Sequence, residues 1–247
     1  MEIHILGNGA MASALAFGLK DKFDITIVGR NEAKMSNLKN QGFKTEIYGK
    51  NYDITDKNII LAFKPYALNE MAKILSGNSQ ICISVLAGVC LENLQIIKSN
   101  NYAVCMPNIA AYFKTSTTPY FTTSSNLQIH NIISEFGEAI KLENESDLRV
   151  AGVISGCVPA FLAIVAESLQ NGGVKEGLKK EISANLVNGV FKSSAKLLES
   201  MHPAILKEKV CSPAGTTIEG VIELENCGVR SAFINAVSKS ANKFKNK

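Results

Sequence analysis

The first 145 residues switch repeatedly between two hydrophobic periods. EIHIL (2–6), ITIV (25–28), NIILAF (58–63), ICISVL (81–86) and YAVCM (102–106) are short, nearly continuous apolar runs. Runs of this length, rich in β-branched residues, predict strands buried on both faces. Between them the apolar spacing lengthens to the helical period. Residues 9–20 carry Met11, Leu15 and Leu19 on one face, and 31–40 and 91–98 read as helices. Pro65, suited to a first helical turn, opens another. A further β pair is expected over 117–123 and 137–142, around a helix at 126–135. Strands alternating with helices predict an α/β domain with a mostly parallel sheet.

After Ser146 the strand-like runs stop. Residues 147–171 form one long helical pattern, and Asn171-Gly172-Gly173 reads as a turn before a second helix over 176–200. Shorter helices are expected at 203–209, opened by Pro203, and at 216–225. The last helix, 228–243, places Val229, Ala232, Phe233, Ala236, Val237, Ser240 and Ala241 along one stripe. The expected division is therefore an α/β domain over 1–145 and an all-helical domain over 146–247. A stripe of small apolar side chains needs cover, from its own domain or from a second subunit. A homodimer through the helical domain is the expectation.

Composition narrows the class of protein. A chain of 247 residues, 46% hydrophobic and 19% charged, is ordinary for a soluble globular protein. The net charge of +4 is mild and spread along the chain, apart from Lys239, Lys243, Lys245 and Lys247. That tail reads as a solvated end, not as a nucleic-acid surface. The six cysteines (Cys82, Cys90, Cys105, Cys157, Cys211 and Cys227) include no C-x-x-C pair, and buried reduced thiols are expected. His4, His130 and His202 lie too far apart to point to a metal site. The apolar run 151–166 is short for a membrane span and contains Gly152, Gly156 and Pro159. No membrane segment is expected, and the expected location is the cytoplasm.

The first chemical motif follows the first strand. Gly7-Asn8-Gly9-Ala10-Met11-Ala12 is G-x-G-x-x-A, between a strand and a helix. Gly7 allows a tight turn, Gly9 lets backbone approach a pyrophosphate, and Ala12 lets helix and strand pack closely. Phosphates would then meet free N–H groups at a helix N-terminus. This is the pattern of a Rossmann-type dinucleotide site. At the end of the second strand stand Arg30 and Asn31, with no acid to hold a ribose 2′-hydroxyl. Arginine there suits a 2′-phosphate, so NADP(H) is expected over NAD(H), with NAD(H) a weaker alternative. Lys64-Pro65, Ala87-Gly88 and Asn108 occupy later strand ends, where such folds place cofactor and substrate.

The second motif is Ser212-Pro213-Ala214-Gly215-Thr216-Thr217, leading into the 216–225 helix. Ser212 is the expected helix cap, and the N–H groups of 215–217 would converge on one anion. GNGAMA, KP (64–65), AG (87–88), MPN (106–108), SGCVPAF (155–161), NGGVKEGL (171–178), HP (202–203) and SPAGTT (212–217), in this order, resemble the pyrroline-5-carboxylate reductase family. The resemblance covers nearly the whole chain. It implies an interlocked helical dimer and NADPH-dependent reduction of Δ1-pyrroline-5-carboxylate to L-proline. It further implies a substrate carboxylate on Ser212, Gly215, Thr216 and Thr217, with the Thr217 hydroxyl at the ring nitrogen as the catalytic contact. The family's SPGGTT carries Ala214 here in place of a glycine. Its SGSGPAY has become Ser155-Gly156-Cys157-Val158-Pro159-Ala160-Phe161, a threonine often found three residues earlier is Gly152, and its GL-P-R stretch reads Gly177-Leu178-Lys179-Lys180.

Reduction of a C=N bond fits a loop without His, Lys or Asp, because a protonated imine accepts hydride directly. Related cyclic imines stay open as substrates. A β-hydroxyacid dehydrogenase shares the two-domain plan but needs a proton-transferring group, usually a lysine on the interdomain helix. Residues 146–174 contain no lysine. A non-catalytic dinucleotide-binding regulator would keep GNGAMA and the dimer helix without needing SPAGTT.

Overall fold

The computed structural model describes residues 1–245. Chain contacts divide it into two compact units, Met1–Cys157 with Ser240–Lys247, and Val158–Lys239. The first contains β1 (Glu2–Leu6), α1 (Ala10–Leu19), β2 (Asp24–Gly29), α2 (Glu32–Asn40), β3 (Lys44–Ile47), β4 (Tyr52–Asp53), β5 (Asn58–Leu61), α3 (Leu68–Ile74), β6 (Leu75–Ser76), β7 (Ile81–Ser84), α4 (Leu91–Leu94), β8 (Tyr102–Cys105), β9 (Ser116–Phe121), α5 (Leu127–Ser134), β10 (Gly137–Lys141) and α6 (Leu148–Gly156). The second holds α7 (Val158–Lys175), α8 (Lys180–Leu198), α9 (Pro203–Val210) and α10 (Thr216–Asn226), and α11 (Val229–Lys245) ends the described chain.

The main sheet has the order β10-β9-β8-β7-β5-β1-β2-β3. Every pairing is parallel except β8 with β9. The parallel strands in the middle are buried on both faces, as their unbroken apolar runs require. Ile3, Ile5, Leu15, Leu19 and Ile27 pack into one core layer, and Leu6, Ile59, Leu61 and Leu94 into the other. The chain reverses its direction of travel across the sheet on either side of β1. In open α/β sheets the crevice at the strands' carboxyl ends there is the usual ligand site.

Several expectations need correction. The pattern read as one helix over 147–171 is two helices, broken at Cys157. Pro159 has no N–H to give the Ser155 carbonyl, and that carbonyl instead accepts from Asn108 Nδ2 at 3.0 Å. α6 lies against β9, so the compact unit extends to Cys157, twelve residues beyond the expected boundary at 145. Gly172 and Gly173 do not turn the chain; both lie within α7. Gly173 leaves room for the Ser183 side chain, whose Oγ donates to the Gln170 carbonyl at 2.8 Å. The turn comes at Gly177, with φ +97°. The helix expected over 91–98 is the single turn α4. Only Cys82 and Cys105 are buried; Cys227 is exposed and the other three thiols are intermediate. Burial pushes the Cys82 thiol up to about 12 and raises that of Cys105 as well, which makes both poor nucleophiles.

In the helical unit, α7, α9 and α10 bury no residue and α8 buries only Ser183. Leu162, Ile164, Leu169, Ile182, Leu186 and Val190 are all more than two-fifths exposed. Of the small-residue stripe on α11, only Ala241 is buried. In the lysine tail, Lys239 and Lys243 are exposed, and Lys247 lies outside the described residues. By length and composition alone Glu145–Lys175 is long and apolar enough to cross a bilayer, a test that the core helix of a globular protein also passes. The stretch is nevertheless interrupted at Cys157 and carries Arg149, whose Nη1 donates to the Ala241 carbonyl at 3.2 Å.

One buried polar group predicts a pH effect on stability. His4 Nδ1 donates to Tyr52 Oη at 2.9 Å, and Tyr52 in turn donates to Glu46 Oε2 at 2.7 Å. Burial, reinforced by the Lys57 ammonium, holds the His4 pKa below its ordinary 6.5. The folded state therefore binds fewer protons there than the unfolded chain. This contribution to stability is present above 6.5 and falls away as pH drops toward the folded pKa, by at most about 1.4 kcal/mol per pH unit. Urea unfolding midpoints should fall below that pH, and His4→Gln should flatten the slope. An unchanged slope would place the acid sensitivity elsewhere.

Candidate active site

A cavity of about 640 Å³ opens at the carboxyl ends of β1, β2, β5, β7 and β8. Gly7, Asn8, Gly9, Ala10 and Met11 form one wall. Gly7 has φ +140°, and a Cβ there would lie 2.5 Å from the Ala62 carbonyl oxygen. The turn is thus reserved for glycine by conformation and by space. Gly9 differs: it has an ordinary extended backbone, and a Cβ on it would meet no protein atom within 4 Å. The space beside Gly9 is a cradle that none of the described residues fills. Gly9 also caps α1, and no side chain accepts from that helix's first turn. Asn8 Nδ2 is buried without a partner, packed against Gly29. An open cradle, an uncapped helix N-terminus and an orphan donor together fit an anion such as a dinucleotide pyrophosphate.

Arg30, Lys64, Pro65 and Ala87 also line this cavity. Ala12 is buried where α1 packs on the sheet, the close contact its small side chain permits. Three expected cofactor residues are placed otherwise. Asn31 caps α2, its Oδ1 accepting from the Lys34 amide at 3.0 Å. Asn108 caps the following 3₁₀ turn through the Ala110 amide, at 2.9 Å, and its Nδ2 is taken by the Ser155 carbonyl. Its side chain serves to anchor α6 and does not line the cavity. Gly88 lines a neighbouring cavity of about 410 Å³.

Sequence reading missed Lys34, Tyr48, Tyr66 and Glu70, all of which line the larger cavity. Lys34 carried a signal, standing in the first turn of α2 shortly after Arg30. Tyr48 comes from the segment after β3, and Tyr66 and Glu70 from the helical turn at Pro65–Ala67 and the start of α3. Arg30 Nη1 donates to Glu70 Oε1 at 3.1 Å. Burial raises the Tyr48 pKa, while Arg30 lowers it and Glu70 raises it, so the phenol lies within the field of both charges.

The Ser212–Thr217 segment lies in the helical unit. Gly215 N–H donates to the Ser212 carbonyl at 3.0 Å, and Ala214 has φ +56°. Pro213 and Ala214 are thus the central residues of a turn of type II, whose third position favours glycine. An alanine there carries left-handed strain of about 1–2 kcal/mol. Gly215 is the cap of α10, and no side chain caps that helix. Ser212 is therefore not the cap; its Oγ fills the space a Gly215 side chain would need. The Gly215 amide is spent in the turn, which leaves the first-turn amides from Thr216 onward for an anion. Thr217 is half-buried and Thr216 exposed.

The fold and the cavity define a nicotinamide-dinucleotide oxidoreductase with a helical C-terminal part. Residues 145–247 match the family model for pyrroline-5-carboxylate reductase dimerisation, and 2–88 the model described as NADP oxidoreductase coenzyme F420-dependent. A pyrroline-5-carboxylate reductase of Helicobacter pylori strain J99 is 38% identical, over 99% of this chain and all of its own length. The solved 1-pyrroline-5-carboxylate reductase of Streptococcus pyogenes is similar with a TM-score of 0.85 and 27% identity, over 100% of this chain and 99% of its own. That of Plasmodium falciparum, solved with NADP bound, gives 0.84 and 26% over the same shares. The chain belongs to the pyrroline-5-carboxylate reductase family.

Proposed function

We propose that this chain reduces the C=N bond of Δ1-pyrroline-5-carboxylate to give L-proline, using NADPH. The observation that carries this reading is the Ser212–Thr217 turn at an uncapped helix start, in a chain 38% identical along its whole length to a reductase of that name. NADPH, when bound, supplies the hydride. Gly7, Gly9 and the first turn of α1 hold its pyrophosphate, with Asn8 Nδ2 as a further donor. Arg30, with Lys34 near it, holds the 2′-phosphate. NADH is the weaker alternative because it leaves Arg30 without that partner. Lys64, Pro65 and Ala87 line the rest of the cavity.

On the substrate side, the Thr216 and Thr217 amides hold the carboxylate at the helix N-terminus. The Thr217 hydroxyl hydrogen-bonds the ring nitrogen and orients the protonated imine. No residue of the loop needs to transfer a proton in the hydride step, because the iminium nitrogen already carries one. The division of labour that follows is cofactor binding by the unit that runs to Cys157 and substrate binding with self-association by the helices that follow it. The dimerisation match and the uncovered apolar helices support a homo-oligomer, and we take its unit to be a dimer. That use of the apolar helices favours a cytoplasmic enzyme over a membrane protein.

The test is steady-state oxidation of NADPH and NADH with pyrroline-5-carboxylate. Thr217→Ala should lower kcat/KM for the imine about tenfold or more, with NADPH binding unchanged. Arg30→Ala should weaken NADPH about tenfold and leave NADH near wild type. Tight NADPH binding without turnover of this imine would sink the reading.

A further inference from the structure

We propose that Glu70 sets how strongly this protein prefers NADPH over NADH, by competing with the cofactor's 2′-phosphate for Arg30. The proposal rests on the reading that Arg30 is the 2′-phosphate residue. Arg30 follows β2 and Glu70 lies in the first turn of α3, forty residues later, yet Arg30 Nη1 and Glu70 Oε1 are 3.1 Å apart. Both side chains line the dinucleotide cavity, together with Lys34 and Tyr48. Among the described residues Arg30 forms no other ion pair. The guanidinium is thus already engaged, by an acid that faces the same space as a bound cofactor.

The exposure of the pair says how it would behave. The Arg30 side chain is 64% exposed and that of Glu70 57%. An open pair of this kind is weak and readily parted. A 2′-phosphate must take Arg30 away from Glu70 and then sit near the released carboxylate, two costs of the same sign. A 2′-hydroxyl meets neither cost, because the ion pair stays intact and the carboxylate can accept a hydrogen bond. Glu70 therefore penalises NADPH and spares NADH. Specificity is the difference between those two affinities, so a residue that touches one cofactor adversely sets it as surely as one that touches the other well. The acid arrives from α3 and the arginine from the end of β2, which is why the segment after β2 shows only the NADP-favouring half of the site.

The experiment is a set of dissociation constants, measured from cofactor fluorescence for NADPH and NADH and by calorimetry for 2′,5′-ADP. It uses wild type, Glu70→Gln, Arg30→Ala and the double variant, without turnover. Glu70→Gln should bind NADPH and 2′,5′-ADP about three- to tenfold more tightly, with NADH unchanged or slightly weaker. Glu70→Ala should do the same, which separates lost charge from altered packing. In the Arg30→Ala background the gain should shrink to the part that comes from direct repulsion between carboxylate and phosphate. Unchanged NADPH affinity in Glu70→Gln overturns the proposal. An equal gain without Arg30 also overturns it, since competition for Arg30 would then contribute nothing. If Arg30→Ala alone leaves 2′,5′-ADP binding intact, the assignment of Arg30 fails and takes the proposal with it, a result distinct from the other two.

Discussion

Gly9→Ala is expected to fold as well as wild type and to lose NADPH affinity by at least about tenfold, while Gly7→Ala is expected to lose the fold first. The two glycines stand two residues apart in one motif and look alike in sequence. Their surroundings separate them. At Gly9 the backbone is extended and a new Cβ meets no protein atom within 4 Å. Alanine there is unstrained, and by restricting the unfolded chain it stabilises by up to about 1 kcal/mol. The methyl group instead occupies the cradle at the N-terminus of α1, where a pyrophosphate needs close backbone approach. At Gly7 the new Cβ would lie 2.5 Å from the Ala62 carbonyl oxygen, at a φ that side chains avoid. Strain and overlap there should cost about 2–4 kcal/mol. Thermal melts and NADPH titrations on both variants read the two effects apart. A Gly9→Ala protein with normal NADPH affinity would remove the cradle from the cofactor site. A Gly7→Ala protein with a normal melting temperature would mean that the turn can relax.

That contrast shows what the sequence made legible and what it did not. The central strands could be read because a parallel strand buried on both faces is apolar along its buried length, as in Ile59, Ile60 and Leu61. β3 could not, because Lys44–Ile47 is an edge strand with exposed, charged positions and no hydrophobic signature. The break at Cys157 was hidden inside an apolar pattern with helical period on both sides, with Pro159 its one visible cue. Gly172 and Gly173 misled in the other direction, since glycine marks close packing as well as turns. The same ambiguity divides the site. Gly7 and Gly9, which line the cavity, could be named because the loop after β1 is one short motif, and Arg30 because it stands directly after the next strand. For Asn31 and Asn108 the sequence leaves two roles open, because asparagine caps helices as readily as it binds ligands, and here both side chains cap. Tyr48, after β3, and Glu70, in the first turn of α3, reach the cavity only through tertiary folding, from segments with no motif of their own.

The melting temperature of this protein should rise with its concentration, because the helical unit has no adequate core within one chain. α8 carries Ile182, Leu186 and Val190 at successive helical turns, each about half exposed, and α7 adds Leu162, Ile164 and Leu169. Covering such a side chain contributes about 1.5–3 kcal/mol, so a stripe of them outweighs the few kcal/mol by which a domain is usually stable. Dissociation and unfolding of this unit should therefore be one process, with stability set by mass action. Dilution from about 100 μM to about 1 μM should lower the melting temperature by several degrees, and sedimentation should show the oligomer disappearing together with helical circular dichroism. Leu186→Glu buries an unpaired charge on association and should abolish the oligomer and lower the melting temperature by about 10 °C or more. Lys192→Glu, a polar position on the same helix, controls for added charge and should change little. A concentration-independent melt, or a folded Leu186→Glu monomer of normal stability, would show that the apolar stripe is covered within one chain and that the oligomer reading is wrong.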